Sequence, residues 1–282
     1  MGHTSDKYYT YPEISTVRRN KLRELLSANQ PTLGVPVICP WPGIVEIIGH
    51  TDVFDYVEFV GEDMPWDLHD LENLSRATEL YNMSSMMKVD QSWQEFAAQR
   101  ALGSGIQNIL FTNIRTMEDM KDCVRNVNLD TPEKGGTHGG HARRNVGYHL
   151  ESASPAYAQA MEDVVIAVMI EKREAMDNLD SILSVEGLDM VQFGPGDLSI
   201  SFGVPGQTTH PRVKKAELKV IRMAIDMGIR PRVELGFDYS MDDIRRYTDL
   251  GVRDFSHALD VQVLHSWWGQ HGERLRTVLE TA

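Results

Sequence analysis

The sequence predicts an α/β fold built on parallel strands, and three observations carry that expectation. Eight short apolar runs recur along the 282 residues, with helix-forming stretches or longer connections between them. The best of these runs are continuously apolar rather than alternating, which is what strands covered on both faces require. No Gly-x-Gly-x-x-Gly follows the first of them. Eight strands with interleaved helices in this length are the count for a (β/α)8, or TIM, barrel. A doubly wound open sheet gives the same local pattern, although the missing glycine fingerprint weighs against its dinucleotide-binding form. One domain spanning residues 1–282 accommodates the chain, and two are not required.

Pro12 to Ser27 has helical spacing in Val17, Leu22, Leu25 and Leu26, and predicts an N-terminal helix packed on the body. Gly34 to Cys39 reads as the first strand, Ile44 to Gly49 as a helix, and Tyr56 to Val60 as the second strand. Ser85 to Val89 is the third strand, Trp93 to Leu102 a helix, and Asn108 to Thr112 the fourth strand. Val164 to Ile170 and Met190 to Phe193 are the fifth and sixth, Ile229 to Leu235 and Asp254 to Ala258 the seventh and eighth. Helices are expected over Arg212 to Met227 and Met241 to Leu250. One segment breaks the rhythm: residues 128–154 hold Gly135-Gly136, Gly139-Gly140, His138, His141, His149 and Arg143-Arg144. A Gly-rich connection this long tends to be functional. It is expected to hang as a lid-like insertion on the active face ahead of Glu171, or to make a subunit contact.

Composition excludes several classes. With 41% apolar residues the chain can bury a substantial core, and its net charge of −13 argues against non-specific nucleic-acid or anionic-membrane binding. No run reaches the length of a membrane-spanning helix, and MGHTSDKYYTYPE lacks an apolar signal core, so the cytoplasm is the expected location. Cys39 and Cys123 form no Cys-x-x-Cys pair and read as reduced, mostly buried thiols.

The chemistry concentrates at two strand ends. The fifth strand runs into Glu171, and the sixth runs into Gly194-Pro195-Gly196-Asp197. Strand, helix and strand make a βαβ unit with both carboxylates, 26 residues apart, on one carboxyl edge. Two such groups plus water suit a hard divalent cation such as magnesium or manganese. Each also has a plainer reading: Glu171 as a charge opening a helix, and Gly-Pro-Gly-Asp as a turn with a helix N-cap.

The run IEKREAMDNLDSILSVEGLDMVQFGPGDLSISFG is similar to the metal-site signature of the HpcH/HpaI aldolase family, the class II pyruvate-dependent aldolases. That pattern is roughly (Q)xE(T)xxAxxNLxxIxxVxGxDxxxxGPxDLSxxxG, and the Glu-to-Asp spacing matches it without a gap. The resemblance extends from about Leu33 to Asp260. It implies a (β/α)8 barrel with Glu171 and Asp197 as ligands of Mg2+ or Mn2+, Co2+ being a further candidate. It implies that the backbone at Gly194 and Gly196 meets the substrate carboxylate. It also implies a homo-hexamer whose subunits exchange a C-terminal helix, here Val261 to Leu279 with Trp267, Trp268 and Leu275. The alternative for that helix is an ordinary amphipathic one packed on its own barrel.

The resemblance fails at several family positions. The family's second strand ends in Asp-x-Glu-His, whose His is the usual base; here the residues are Val60-Gly61-Glu62-Asp63. The carboxyl that partners that His falls near Gly103, the substrate-binding Arg of the third strand is Lys88, and a Gln before the metal Glu is Met169. Lys88 keeps a positive charge without the planar bidentate fork that fits a carboxylate; a surface charge ending a strand is its plain alternative. Asp63 could act as a base if burial raises its pKa, or could simply cap a turn. His141, beside Arg143 and Arg144, is the preferred replacement base from the insertion, with Arg144 as a substrate contact. His210 reads as a helix-start residue, His50 and His69 as surface positions, and His257 as a group at the active edge.

The expected activity is that of a divalent-metal-dependent carbon–carbon lyase acting on a small 2-oxo acid or its aldol adduct through a stabilised enolate. Lys88 would neutralise the substrate anion, and Asp63, a metal-bound water or a histidine of the insertion would move protons. The alternatives are a metal-dependent decarboxylase or hydrolase of an oxaloacetate-like acid, which forms its enolate without a base, or a catalytically retired barrel that binds a metal and an acid.

Overall fold

The computed structural model describes residues 15–281. Eight parallel strands close into a barrel in chain order: β1 (Thr32–Val37), β2 (Tyr56–Val60), β3 (Ser84–Val89), β4 (Asn108–Phe111), β5 (Val165–Ile170), β6 (Met190–Phe193), β7 (Arg230–Glu234) and β8 (Asp254–Ser256). The alternative open sheet is thereby set aside, because β8 pairs with β1 from Thr32–Asp254 to Gly34–Ser256. Outside lie α2 (Pro42–Gly49), α3 (Leu68–Leu80), α4 (Gln94–Ser104), α5 (Met117–Arg125), α6 (Pro155–Glu162), α7 (Arg173–Asp177), α8 (Leu179–Leu183), α9 (Pro195–Ser201), α10 (Pro211–Asp226) and α11 (Met241–Asp249). No helix among the described residues is long and apolar enough to cross a membrane. Cys39 and Cys123 are unpaired.

The expected N-terminal helix is shorter than its periodicity suggests. It is α1 (Lys21–Ser27), started by Asn20, whose side chain accepts from the Arg23 amide. Pro12 to Ile14 lie outside the described residues, and Ser15 to Asn20 are not helical. Helices α3 and α5, absent from the sequence reading, both begin at capping boxes. Asp67 and Asp70 close one, Thr116 and Asp119 the other. An acidic residue three positions after an Asp or Thr was the available signal.

The C-terminal helix α12 (Asp260–Thr281) leaves the barrel instead of packing along it. Asp260 is its one buried residue, and its carboxylate accepts the Ile38 and Cys39 amides at 3.0 and 3.1 Å. Trp267, Trp268, Leu275, Val278 and Leu279 are exposed, so the reading in which this helix covers its own barrel does not hold within the chain.

The insertion lies on the wrong face to be a lid. Chain direction decides this: α5 returns from the carboxyl ends of the strands, so the segment after Arg125 begins at the amino-terminal face. There Arg144 forks onto Glu79 at 2.8 and 2.7 Å and reaches the Ser104 carbonyl at 3.2 Å, in the last turns of α3 and α4. Arg143 donates to the Gln99 carbonyl at 2.8 Å. Glu151 accepts from Ser15 and from the Thr16 and Val17 amides, tying down the segment that precedes α1. His138 is buried, with Nε2 2.9 Å from the Asn126 carbonyl. Residues 128–154 are a clamp on the stability face, not a cover for Glu171.

The barrel interior is polar at both ends and apolar between. At the amino end Asp254 binds Thr32 and Arg230, each at 2.7 Å. Above it Tyr56, Met86, Leu110, Ala167 and Met190 pack with Leu22 of α1. The Tyr56 ring fills the space where Gly34 has no Cβ: one placed there would fall 2.3 Å from Tyr56 Cζ. Burial pushes the Tyr56 phenol up to about 12. Next comes Arg232, paired with Glu58, both 1% exposed. Arg232 also donates to Gln192 Oε1 at 2.5 Å and to the Tyr56 hydroxyl at 3.2 Å. Burial opposes the Arg232 charge, but Glu58 more than offsets it and holds the guanidinium protonated above its ordinary range.

Two outcomes test this account. Glu58→Leu leaves the Arg232 charge buried and uncompensated and is expected to cost about 3–5 kcal/mol, whereas Glu58→Leu combined with Arg232→Leu should recover most of that loss; guanidinium-unfolding midpoints of the three proteins would measure it. Burial drives the His138 pKa down from 6.5 to about 4. Between those values the unfolded chain takes up a proton that the folded one refuses, so stability falls as pH drops, by on the order of 3 kcal/mol. Unfolding midpoints from pH 7 to 4.5 should show that slope, and His138→Gln should flatten it.

Candidate functional site

The carboxyl ends of β3, β5, β6 and β7 surround a cavity of about 290 Å³. Glu171, the residue after β5, points inward because the strand alternation that buries Ala167 and Met169 in the barrel carries on for one more residue. It is 3% exposed, and its Oε1 accepts the Asn113 amide at 2.8 Å. Asn113 presents that amide from a left-handed conformation, φ 60°, which asparagine tolerates better than most residues. Burial raises the Glu171 pKa above the usual glutamate range: a carboxylate here lacks the charge compensation that water would provide.

Asp197 stands in the first turn of α9 and lines the same cavity. Its Oδ1 accepts from Lys172 Nζ at 2.8 Å. The neighbouring glycines differ in what they contribute. The Gly194 amide is spent on the Ile170 carbonyl at 3.0 Å, so it is not free for a substrate carboxylate as the resemblance implied. What Gly194 supplies is space: a Cβ there would fall 2.8 Å from both Cβ and Oε2 of Glu171. The Gly196 amide, in the first helical turn, has no intrahelical acceptor.

Lys88 projects from β3 into the cavity, its Nζ 2.8 Å from Glu62 Oε2. Burial is the largest influence and works against its charge, but Glu62, with Glu58 and Glu171, outweighs it and keeps the ammonium protonated, which disfavours a Schiff-base role. Glu62, itself outside the residues that line the cavity, is tied to the site through Lys88. Asp63 is exposed, outside the residues that line the cavity. His141 and Arg144 are at the opposite end of the barrel, where His141 Nε2 meets Asn145 Oδ1 at 2.9 Å. The structure thus brings together Glu171, Asp197, Lys88, Gly194 and Gly196, and removes Asp63, His141 and Arg144. His210 caps α10 as expected, and His257 lies edge-on to Phe54 and Tyr239.

Sequence reasoning missed a polar group from β7. Arg232 and Glu234 alternate with Pro231 and Val233, so both face inward, and both line the cavity with Gln192 of β6. Gln192 bridges them, donating to Glu234 Oε2 at 3.0 Å while accepting from Arg232. Glu234 stays accessible to solvent, but desolvation of its carboxyl by the surrounding strands, followed by repulsion from Glu58, raises its pKa. Charges alternating along a strand expected to be covered on both faces were the signal. A larger groove of about 660 Å³ lies on the amino-terminal side under Ser15 to Asn20 and holds none of the strand-end carboxylates.

The sequence profile of the HpcH/HpaI aldolase/citrate lyase family matches residues 42–243. The chain is 29% identical over 252 residues to the hydroxypyruvate/pyruvate aldolase of Roseobacter denitrificans, covering 87% of this chain and 93% of that protein. It is 26% identical over 251 residues to the 5-keto-4-deoxy-D-glucarate aldolase of Shigella boydii, covering 88% and 93%. The fold superposes with a TM-score of 0.82 on a crystal structure of an HpcH/HpaI aldolase/citrate lyase family protein from Burkholderia cenocepacia, at 24% identity over 92% of this chain and all of that one. With the profile spanning most of the barrel and the paired carboxylates at its carboxyl face, the chain belongs to the HpcH/HpaI aldolase/citrate lyase family, whose members are lyases.

Proposed function

We propose that this protein is a divalent-metal-dependent carbon–carbon lyase acting on a small 2-oxo acid or its aldol adduct. The observation that carries the reading is a buried Glu171 carboxylate lining one small cavity with Asp197 and the Lys88 ammonium. The donor set fits Mg2+ or Mn2+: two carboxylates from the chain leave the remaining positions of a hard, oxygen-preferring ion to water and substrate. Bound there, the cation would supply positive charge for a keto oxygen on which negative charge develops. Relatives named for pyruvate and for a keto-deoxy acid support an acid of this class.

The chain's own residues divide the remaining work. Lys88 has three N–H donors and uses one on Glu62, so it can meet a substrate carboxylate as a point charge without leaving its partner. Gly194 gives the Glu171 side chain room to pack against the end of β6, and the Gly196 amide, without an intrahelical acceptor, is available to an anionic group. Lys172 holds Asp197 and must yield that carboxylate, wholly or in part, to a cation. The exposed apolar residues of α12 support a homo-oligomer in which this helix packs on another copy.

One observation favours a second reading. Asp63, which replaces the family base, faces solvent outside the cavity. Decarboxylation of an oxaloacetate-like acid forms an enolate without a base and would tolerate that change.

Proton NMR of pyruvate in deuterium oxide with the protein and Mg2+ or Mn2+ tests the lyase reading. Methyl-signal loss is expected, and it should vanish with a chelator and in Glu171→Ala. If exchange is absent but oxalate still binds in a metal-dependent way, the decarboxylase reading is preferred. Absence of both exchange and binding would exclude both.

A further inference from the structure

With Asp63 turned to solvent and His141 at the far end of the barrel, the cavity still contains six titratable side chains: Lys88, Glu171, Asp197, Glu217, Arg232 and Glu234. Five have other commitments. Glu171 and Asp197 are the proposed metal ligands. Lys88 is held as an ammonium by Glu62, and Arg232 is neutralised by Glu58. Glu217 belongs to α10, where it takes the Tyr247 hydroxyl at 2.6 Å and Lys214 at 2.9 Å. Glu234 is different: the hydrogen bond from Gln192 engages Oε2, while the residue is solvent-accessible at the cavity mouth.

Register places Glu234 beside the chemistry. Ile170 pairs with Phe193 and Gln192 with Arg232. Continuing both ladders aligns Glu171, Gly194 and Glu234 in one row across β5, β6 and β7. The middle member of that row is the glycine against which the Glu171 side chain packs, so no side chain stands between Glu171 and Glu234 along it. A small acid bound in the cavity that all three residues line would meet the Glu171 carboxylate on one side and Glu234 on the other.

We infer that Glu234 is the residue that moves the proton at the substrate carbon next to the keto group, the task the family histidine performs elsewhere. This rests on the 2-oxo-acid lyase reading above. In the exchange direction the Glu234 carboxylate removes a proton from that carbon. The C–H bond breaks, an O–H bond forms on Glu234, and the C–H electron pair becomes the enolate double bond as charge moves to the keto oxygen. In the reverse direction the Glu234 carboxylic acid returns its proton to the same carbon. Charged groups around it come from three strands: Glu58 of β2, Lys88 of β3 and Arg232 of β7. Desolvation of its carboxyl, then Glu58, raise its pKa above the usual glutamate range, the direction that favours a group which returns a proton as well as taking one.

The test compares wild type, Glu234→Gln and Glu234→Asp in two measurements: pyruvate methyl exchange in deuterium oxide with Mn2+, and calorimetric binding of oxalate with Mn2+. Glu234→Gln should lose exchange by about 100-fold or more while binding oxalate within about threefold of wild type. Glu234→Asp, which keeps a carboxylate but withdraws it, should retain part of the rate. Exchange at the wild-type rate in Glu234→Gln overturns the assignment. So does a parallel loss of oxalate binding, which would make Glu234 a structural support of the pocket. Wild-type protein that binds oxalate but does not exchange also overturns it, while leaving the metal and acid site standing. Wild-type protein that does neither overturns the assignment and the lyase reading together.

Discussion

A positive charge that cannot leave the barrel organises this molecule. Arg232 is buried inside a ring of parallel strands, and an uncompensated charge there would cost several kcal/mol. Glu58 supplies the counter-charge, and Gln192 and Tyr56 accept further guanidinium N–H groups. Each of those commitments has a consequence one layer higher. Gln192, its carbonyl turned to Arg232, must present its amide to Glu234. Glu58, fixed below, repels Glu234 and makes its ionisation harder. The floor of the cavity is therefore a polar network with little freedom to rearrange, and the groups above it inherit their orientation from it.

A second ion pair keeps positive charge in the cavity where the sequence departs from the family pattern it resembles. An arginine normally at the end of β3 is replaced by Lys88, and a lysine in a dry pocket is prone to lose its proton. Glu62 prevents this at 2.8 Å, so positive charge persists where a substrate carboxylate would arrive. The charge is less directional than a guanidinium fork, so on the proposed function the orienting of a substrate would fall more heavily on Glu171 and Asp197.

The fold was legible because a barrel strand is covered on both faces and reads as an apolar run, and because the Glu171 and Asp197 loops carry a spacing without gaps. What was illegible has two physical causes. Inward charges such as Glu58, Arg232 and Glu234 are recognisable only once the alternation is aligned with the barrel axis, since a one-residue shift would put each of them outside. The insertion was misplaced for a different reason. Its glycines and histidines resemble a mobile cover, but its position depends on whether it follows a strand or a helix. Helix α5, started by Thr116 and Asp119, was not recognised. Once α5 returns the chain to the amino-terminal face, His141 and Arg144 cannot reach Glu171, and the arginine pair becomes a clamp on α3 and α4.

Moving the insertion to the stability face changes where substrate selection must come from. In barrels whose long loops cover the carboxyl face, loops choose the substrate. Here the long segment is tied to the opposite end. At the active edge, β5 reaches α7 through Glu171 and Lys172, and β6 reaches α9 through Gly194 alone. The cavity is lined by Lys88 and Glu234, carried directly by strands, with Glu171 just after β5, Gly194 just after β6 and Asp197 in the first turn of α9, and on the proposed function these are what a substrate would meet. Such groups are held by the hydrogen-bonded ladder and move little, so discrimination rests on the charge and volume of a rigid cavity of about 290 Å³. On the proposed function, a cavity of that size with an ammonium and a metal-binding carboxylate pair would select for small, anionic, oxygen-rich acids. A bulkier aldol adduct would have to extend its tail outward through the mouth, past Glu234.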